Sequence, residues 1–131
     1  MPINFGVASL SIFNFKFIIM STQEAVMTTQ DVANRFNELA QTGQWDKVQD
    51  ELYADNAVSI EPAHAAGMGL PNAEGIEAIK QKGKAFNEMV EEMHGGYSTP
   101  PVIGGKFFSV GMGMDVTMKG VGRTKMDEVA V

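Results

Sequence analysis

The chain has 131 residues and a mass of 14.2 kDa, a size that can bury the core of one domain without disulfides or a structural metal. Its net charge of −6 argues against binding to nucleic acid or an anionic membrane, and no apolar run reaches the roughly 18 residues that span a bilayer. It contains no cysteine, which excludes thiol catalysis and cysteine-ligated zinc and suits a reducing cytoplasm.

The first residues differ from the rest in character. Segment 10–20 is apolar and aromatic, but Lys16 interrupts it, whereas a signal peptide places its positive charge before a continuous apolar stretch. We interpret residues 1–26 as an appendage and residues 27–131 as the domain, with export as the alternative.

Two helices are predicted next. Thr28 or Thr29 can cap the first helix, and Gly43 is a suitable end for it. Apolar residues recur at helical spacing in this segment, namely Val32, Phe36, Leu39 and Ala40. The second helix places Trp45, Val48 and Leu52 on one side, with Tyr53 beside them.

A strand over 57–61 and a loop over 63–71 are expected to follow, because Pro62 cannot donate to a strand ladder. The third helix carries the clearest pattern, with Asn72 as its expected cap and Gly95 and Gly96 as its end. Its apolar stripe consists of Ile76, Ile79, Gly83, Phe86, Val90 and Met93, and the lysines at 80, 82 and 84 are expected on a solvated face.

The remaining sequence predicts antiparallel strands. A strand over 97–103 is interrupted by two prolines, and Gly104-Gly105 forms a hairpin turn into a strand over 107–118. A loop at 120–122 leads into the final strand. One face of the long strand is expected to face the core through Phe108, Val110, Met112, Met114, Val116 and Met118, while small or polar residues form a flat opposite face for solvent or a partner sheet.

Four segments carry a resemblance to a known family: 53–62 (YADNAVSIEP), 75–79 (GIEAI), 115–120 (DVTMKG) and 126–131 (MDEVAV). Together with the order of elements, they resemble SnoaL-like and ketosteroid-isomerase-like proteins of the nuclear transport factor 2-like superfamily. The resemblance implies an α+β fold in which three helices pack on a curved antiparallel sheet and form a cone with a pocket. Family members usually continue into one more strand, so we expect a chain that lacks this strand.

The resemblance also implies candidate residues for the pocket. Glu61 occupies the position of the carboxylate base in the isomerases, whereas Phe36 stands where they have an oxyanion-binding tyrosine and supplies no donor. The alternation of the strand places Glu61 away from the pocket if Val58 and Ile60 face the core.

Further candidates come from the residues themselves. Neighbours in a strand point to opposite faces, so either Glu128 or Asp127 must face inward; a three-residue hairpin loop favours Glu128, opposite Met114. His64, in the loop, and His94, at the end of the third helix, could transfer protons. The expected ligand-binding wall comprises Phe36, Trp45, Tyr53, Met68, Met112 and Met114, which could equally be core.

The sequence contains no phosphate-binding loop, metal-ligand set or nucleophile triad, so we expect no metal or cofactor. Two hypotheses follow. The first is a protein that binds a small apolar carbonyl compound and performs acid–base chemistry with Glu61, Glu128 and a histidine. The second is a non-catalytic binding or dimerisation module, with a homodimer formed through the flat face of the sheet.

Overall fold

The computed structural model describes residues 27–131, and the interpretation of residues 1–26 lies outside them. Helix α1 (Thr29–Gln41) begins at a capping box: the hydroxyl of Thr28 accepts the amide of Asp31 at 3.1 Å, and the Asp31 carboxylate accepts the amide of Thr28 at 2.9 Å. Helix α2 (Trp45–Leu52) follows after Gly43, whose positive φ ends α1. Both predicted helices are confirmed.

The segment between α2 and the long helix contains more structure than predicted. Strand β1 (Val58–Ser59) pairs with β2 (Ala73–Glu74), and a short 3-10 helix (Ala63–Met68) lies between them where a loop was expected. Asn72, expected as a helix cap, instead accepts the backbone amide of Glu61 through its Oδ1 at 2.7 Å. The side chain of Asn72 thus fixes the chain just after β1.

Helix α3 (Ile76–Met89) is shorter than predicted, because strand β3 (Val90–Ser98) begins directly after it. Its N-terminal cap is Gly75, whose φ of 85° is unfavourable for any other residue. The apolar stripe continues through residues 90–93 in sequence, but their backbone pairs with the central strand of the sheet. Tertiary pairing therefore overrides the helical periodicity.

The sheet is built around one long strand, β5 (Phe107–Met118), whose predicted bounds are confirmed. β5 pairs antiparallel with β3, with β4 (Val102–Gly104) and with β6 (Gly122–Ala130). The break between β3 and β4 falls at the two prolines, as their missing amide protons require.

Alternation along β5 separates an inner face from an outer face. Phe108, Val110, Val116 and Met118 are buried on the inner face, and Met112 and Met114 are half-buried there. The predicted core face is therefore confirmed, and so is the α+β class with helices packed on an antiparallel sheet.

Two apolar clusters join the helices to this inner face. In the first, α1 and α2 pack with Ala73 of β2, Ile79 of α3 and the first half of β5. The ring of Phe36 meets that of Phe108 edge-on at 5.6 Å between centroids. In the second, Phe86 and Met89 of α3 pack against Val116 and Met118. The packing of α3 on the methionine-bearing half of β5 is thus as predicted.

Candidate functional site

Glu61 lies on the inner side of the fold. Ala57 and Ser59 are buried, whereas Val58 and Ile60 are only half-buried, so the condition under which Glu61 would face away from the pocket is not met. Ala57 packs in the apolar cluster with α1 and α2, and the hydroxyl of Ser59 contacts Lys82 of α3. Glu61, two residues after Ser59, consequently follows the buried side.

The side chain of Lys82, in α3, contacts Glu61. Its ammonium nitrogen lies 2.8 Å from the Oε1 of Glu61 and 2.6 Å from the Oγ of Ser59, which in turn donates to the same carboxylate at 3.3 Å. The side chains of Lys82 and Glu61 are only 13% and 14% exposed. A carboxylate, an ammonium and a hydroxyl therefore form one largely desolvated network at this point.

Tyr53 lies close enough to two carboxylates to respond to both charges. Burial raises the pKa of the Tyr53 hydroxyl, and the negative charges of Glu128 and then Glu61 raise this pKa further. The phenol therefore stays protonated at any physiological pH. Tyr53 also belongs to the apolar cluster formed by α1, α2 and β5, so this polar group has apolar neighbours.

The hairpin between β5 and β6 places Glu128 on the inner side. Met112 pairs with Glu128, and the loop occupies residues 119–121. The loop was predicted one residue further along, which put Met114 opposite Glu128; this pairing is wrong by two residues. A shift of two preserves alternation, so Glu128 keeps its inward side and Asp127 lies on the outer face.

The two histidines lie at different places in the fold. His64 is exposed on the 3-10 helix. His94 was predicted at the end of the third helix, which is wrong: it belongs to β3, and its Nε2 lies 2.7 Å from the Oγ1 of Thr117 on the outer face. The inner network therefore contains Ser59, Glu61 and Lys82 but not His94.

The six residues predicted to line a ligand site divide among three environments. Phe36 and Tyr53 are buried in the first apolar cluster, with Met112 at its margin. Met68 and Met114 pack against the second cluster. Trp45 is 43% exposed and meets Phe36 edge-on at 6.1 Å between ring centroids. Of these six, Tyr53 and Met112 lie next to the carboxylates, Met112 through its pairing with Glu128.

The outer face carries a second feature, a shallow groove of about 420 Å³ lined mainly by Gly95, Gly96, Tyr97, Asp115, Lys125 and Asp127. The Tyr97 hydroxyl donates to Asp127 at 2.7 Å, and a Cβ placed on Gly113 would overlap the Tyr97 ring. The flat face predicted from the small residues of β5 is therefore covered in part by Tyr97.

Lys82 is the residue that the sequence analysis missed, since it was assigned to a solvated face. A signal was present: Lys82 lies three residues after Ile79 and four before Phe86, at the edge of the apolar stripe. By contrast, Lys80 pairs with Asp50 at 2.8 Å with side chains 40% and 60% exposed, as the sequence analysis expected for all three lysines.

Within residues 27–131, no group of three histidine or acidic side chains is arranged to hold a metal ion. Over the same residues, no helix has the length and apolar character needed to cross a membrane.

The chain is similar to one protein family and to a protein of known crystal structure. The family model for the SnoaL-like domain matches residues 27–131. A crystal structure from Mesorhizobium loti, of a protein named as a candidate SnoaL-like polyketide cyclase with the added words carbohydrate phosphatase, superposes with a TM-score of 0.65 and 26% identity. The match covers 79% of this chain and 97% of that one. None of the curated proteins matches the chain significantly.

Proposed function

Because this chain belongs to the SnoaL-like domain family, we propose that it binds a small, mainly apolar, carbonyl-bearing molecule beside the inner face of its sheet. In this proposal Glu61 is a proton acceptor and Glu128 is the second carboxylate of the site. The ligand would contact Tyr53 and Met112, which border the carboxylates. Such a mainly apolar site with a few convergent polar groups is typical of small-molecule binding.

One observation carries the proposal: the Glu61 carboxylate is only 14% exposed and is held 2.8 Å from a lysine ammonium. Charged groups are costly to desolvate, and a buried pair does not generally stabilise a fold more than apolar residues of the same volume. A carboxylate that the fold keeps desolvated beside a positive charge is therefore a candidate for a functional role.

The reaction that suits these groups is proton transfer at a carbon next to a carbonyl, as in isomerisation or cyclisation. A positioned carboxylate contributes roughly 10²- to 10⁴-fold to such a step. The Mesorhizobium loti protein carries the name of a candidate cyclase, which is compatible with this class. Steroid isomerisation in particular is disfavoured, because Phe36 is packed against Phe108 and has no hydroxyl to donate.

The proposal is tested by exchange of carbon-bound hydrogen in heavy water, with β-tetralone as a compact, apolar ketone. Nuclear magnetic resonance follows the loss of the α-hydrogen signals with and without protein. We expect exchange above the buffer rate, which Glu61→Gln lowers by roughly 10² or more while Glu88→Gln, at an exposed position of α3, leaves it unchanged. Equal rates for Glu61→Gln and wild type would remove Glu61 from the chemistry.

A non-catalytic binding module is the second candidate, and a specific observation favours it. In the part of the chain that the structure describes, every fully buried side-chain nitrogen and oxygen has a hydrogen-bond partner. Buried polar groups that are paired within the protein are equally typical of a structural interior. Binding of β-tetralone without any exchange would select this alternative.

For the assembly, we propose a homodimer through the outer face, in a protein of the cytoplasm. Val102 and Phe107 are 70% and 64% exposed and belong to neighbouring strands on this face. Substituting Gly113 is unsuitable as a test, because it would displace Tyr97 as well. Phe107→Asp is the cleaner variant: sedimentation should show a dimer that it dissociates, and a monomeric wild type would contradict the proposal.

A further inference from the structure

The ammonium group of Lys82 has hydrogen-bonding capacity beyond its present contacts. Lysine carries three ammonium protons. Among the residues that the structure describes, Lys82 donates to the Oγ of Ser59 and the Oε1 of Glu61. One further proton is available to an oxygen of a bound molecule, and the charge is held within hydrogen-bond distance of the proposed base.

This position matters because removing a proton next to a carbonyl places negative charge on the carbonyl oxygen. The carbon that loses its proton to Glu61 is bonded to the carbonyl carbon, so the charged oxygen must lie near Glu61 and hence near Lys82. A fixed donor at the place where charge develops lowers the barrier more than a solvent-exposed one does. The buried phenol of Tyr53 is neutral, so the positive charge at this point comes from Lys82.

We propose that Lys82 is a catalytic residue that stabilises the oxyanion, and that the ligands are carbonyl compounds that pass through an enolate. This inference rests on the proposed function. In the step, the C–H electron pair becomes the carbon–carbon double bond of the enolate, the carbonyl π pair moves to oxygen, and the proton goes to the Glu61 carboxylate. The enolate oxygen accepts a hydrogen bond from Lys82, and return of the proton to another carbon completes an isomerisation.

A purely structural role for Lys82 predicts a different arrangement. A lysine that only ties α3 to a neighbouring element is expected at the surface, where the charge stays hydrated, and Lys80 illustrates this with its exposed partner Asp50. Lys82 instead loses most of its hydration in order to reach Ser59 and Glu61. This contrast between two lysines of one helix also supplies a matched control.

The test uses para-nitrophenol, whose ionised form mimics an enolate, and para-nitroanisole, which has the same ring without an ionisable group. Absorbance titration of bound para-nitrophenol gives its pKa on the protein. We expect this pKa to be higher on Lys82→Met than on wild type by about one unit, because the loss of one charge-assisted hydrogen bond weakens phenolate binding roughly tenfold or more. Binding of para-nitroanisole should be similar in both proteins.

Two further variants separate charge from folding. Lys82→Gln keeps a donor for Ser59 and Glu61 without the charge, and it should raise the pKa of the bound nitrophenol as Lys82→Met does. Lys80→Met should leave this pKa unchanged. Circular dichroism of each variant verifies that the protein is folded under assay conditions.

The possible outcomes distinguish failure of the proposed function from failure of the role proposed for Lys82. If neither compound binds the wild-type protein, the proposed function fails and this inference fails with it. If both bind and the pKa of bound para-nitrophenol is the same in wild type, Lys82→Met and Lys82→Gln, the role of Lys82 is overturned while small-molecule binding stands. A raised pKa in both Lys82 variants but not in Lys80→Met supports the proposal.

Discussion

Removing the ammonium of Lys82 should destabilise the protein far more than removing a surface lysine. Lys82→Met leaves the Glu61 carboxylate, 14% exposed, with the hydroxyl of Ser59 but without its 2.8 Å ion-pair partner. Breaking a buried pair by removing one partner costs about 3–5 kcal/mol. Because some exposure remains and Ser59 still donates, we expect a loss near the lower end, about 3 kcal/mol in the free energy of unfolding.

Lys80→Met is the matched control, on the same helix and with an ion pair of the same length. Its pair with Asp50 is 40% and 60% exposed and screened by water, so we expect a much smaller loss of stability. Urea unfolding measures both values, followed by circular dichroism and by the fluorescence of Trp45, the single tryptophan of the chain. A change in midpoint at constant slope identifies a genuine change in stability.

A second substitution should restore the stability that Lys82→Met loses. Adding Glu61→Leu to Lys82→Met removes the carboxylate that was left without its partner, so most of the lost stability should return. Equal losses in Lys80→Met and Lys82→Met, or no recovery in the double variant, would show that the network between Glu61, Ser59 and Lys82 is not desolvated as the structure indicates.

Three other predictions concern the helix cap, the outer face and the tyrosines. Thr28→Ala removes the hydroxyl that caps α1 and should cost about 1 kcal/mol in urea unfolding, whereas Thr28→Ser should cost little. Gly113→Ala places a Cβ 2.7 Å from the Oδ1 of Asp127 and against the Tyr97 ring. We therefore expect the free energy of unfolding to fall by about 1–3 kcal/mol, and a second substitution, Tyr97→Ala, should restore part of this loss. No change in stability in Gly113→Ala would contradict this contact. The hydrogen bond to Asp127 raises the pKa of Tyr97. The stability that this hydrogen bond contributes is therefore complete below the pKa of an unfolded tyrosine, about 10, and is lost as pH rises through the higher pKa of Tyr97 in the folded protein. Alkaline absorbance titration should show Asp127→Asn lowering the pKa of Tyr97, while Tyr53 ionises only on unfolding.

Features with a strict local pattern were predictable from the sequence. The capping threonine before α1 and the alternation of β5 each depend on a few neighbouring residues, and both are observed. The hairpin turn predicted at 104–105 lies one residue later, at 105–106, because Gly104 still pairs with Phe107. The inward side of Glu128 follows from alternation together with a three-residue hairpin loop, since an error of two residues in the hairpin register leaves the face unchanged.

Features that depend on distant partners were not predictable. The end of α3 is set by pairing of residues 90–98 with β5, which the local apolar stripe does not reveal. The direction of Glu61 depends on β2, whose pairing with β1 covers two residues. Lys82 meets Glu61 across 21 positions of sequence, and a lone lysine beside an apolar stripe is most simply assigned to the surface.

The most direct measurement of the central claim is methyl resonance mapping with isotopically labelled methionine, during titration with para-nitrophenolate. Met112 pairs with Glu128 beside the inner network, whereas Met93 is 57% exposed and provides an internal reference. A small molecule bound beside Glu61 and Lys82 should shift the Met112 methyl signal in wild type, and less so in Lys82→Met, with Met93 unchanged. A shift confined to Met93, or a Met112 signal that stays constant at saturation, would contradict an inner site.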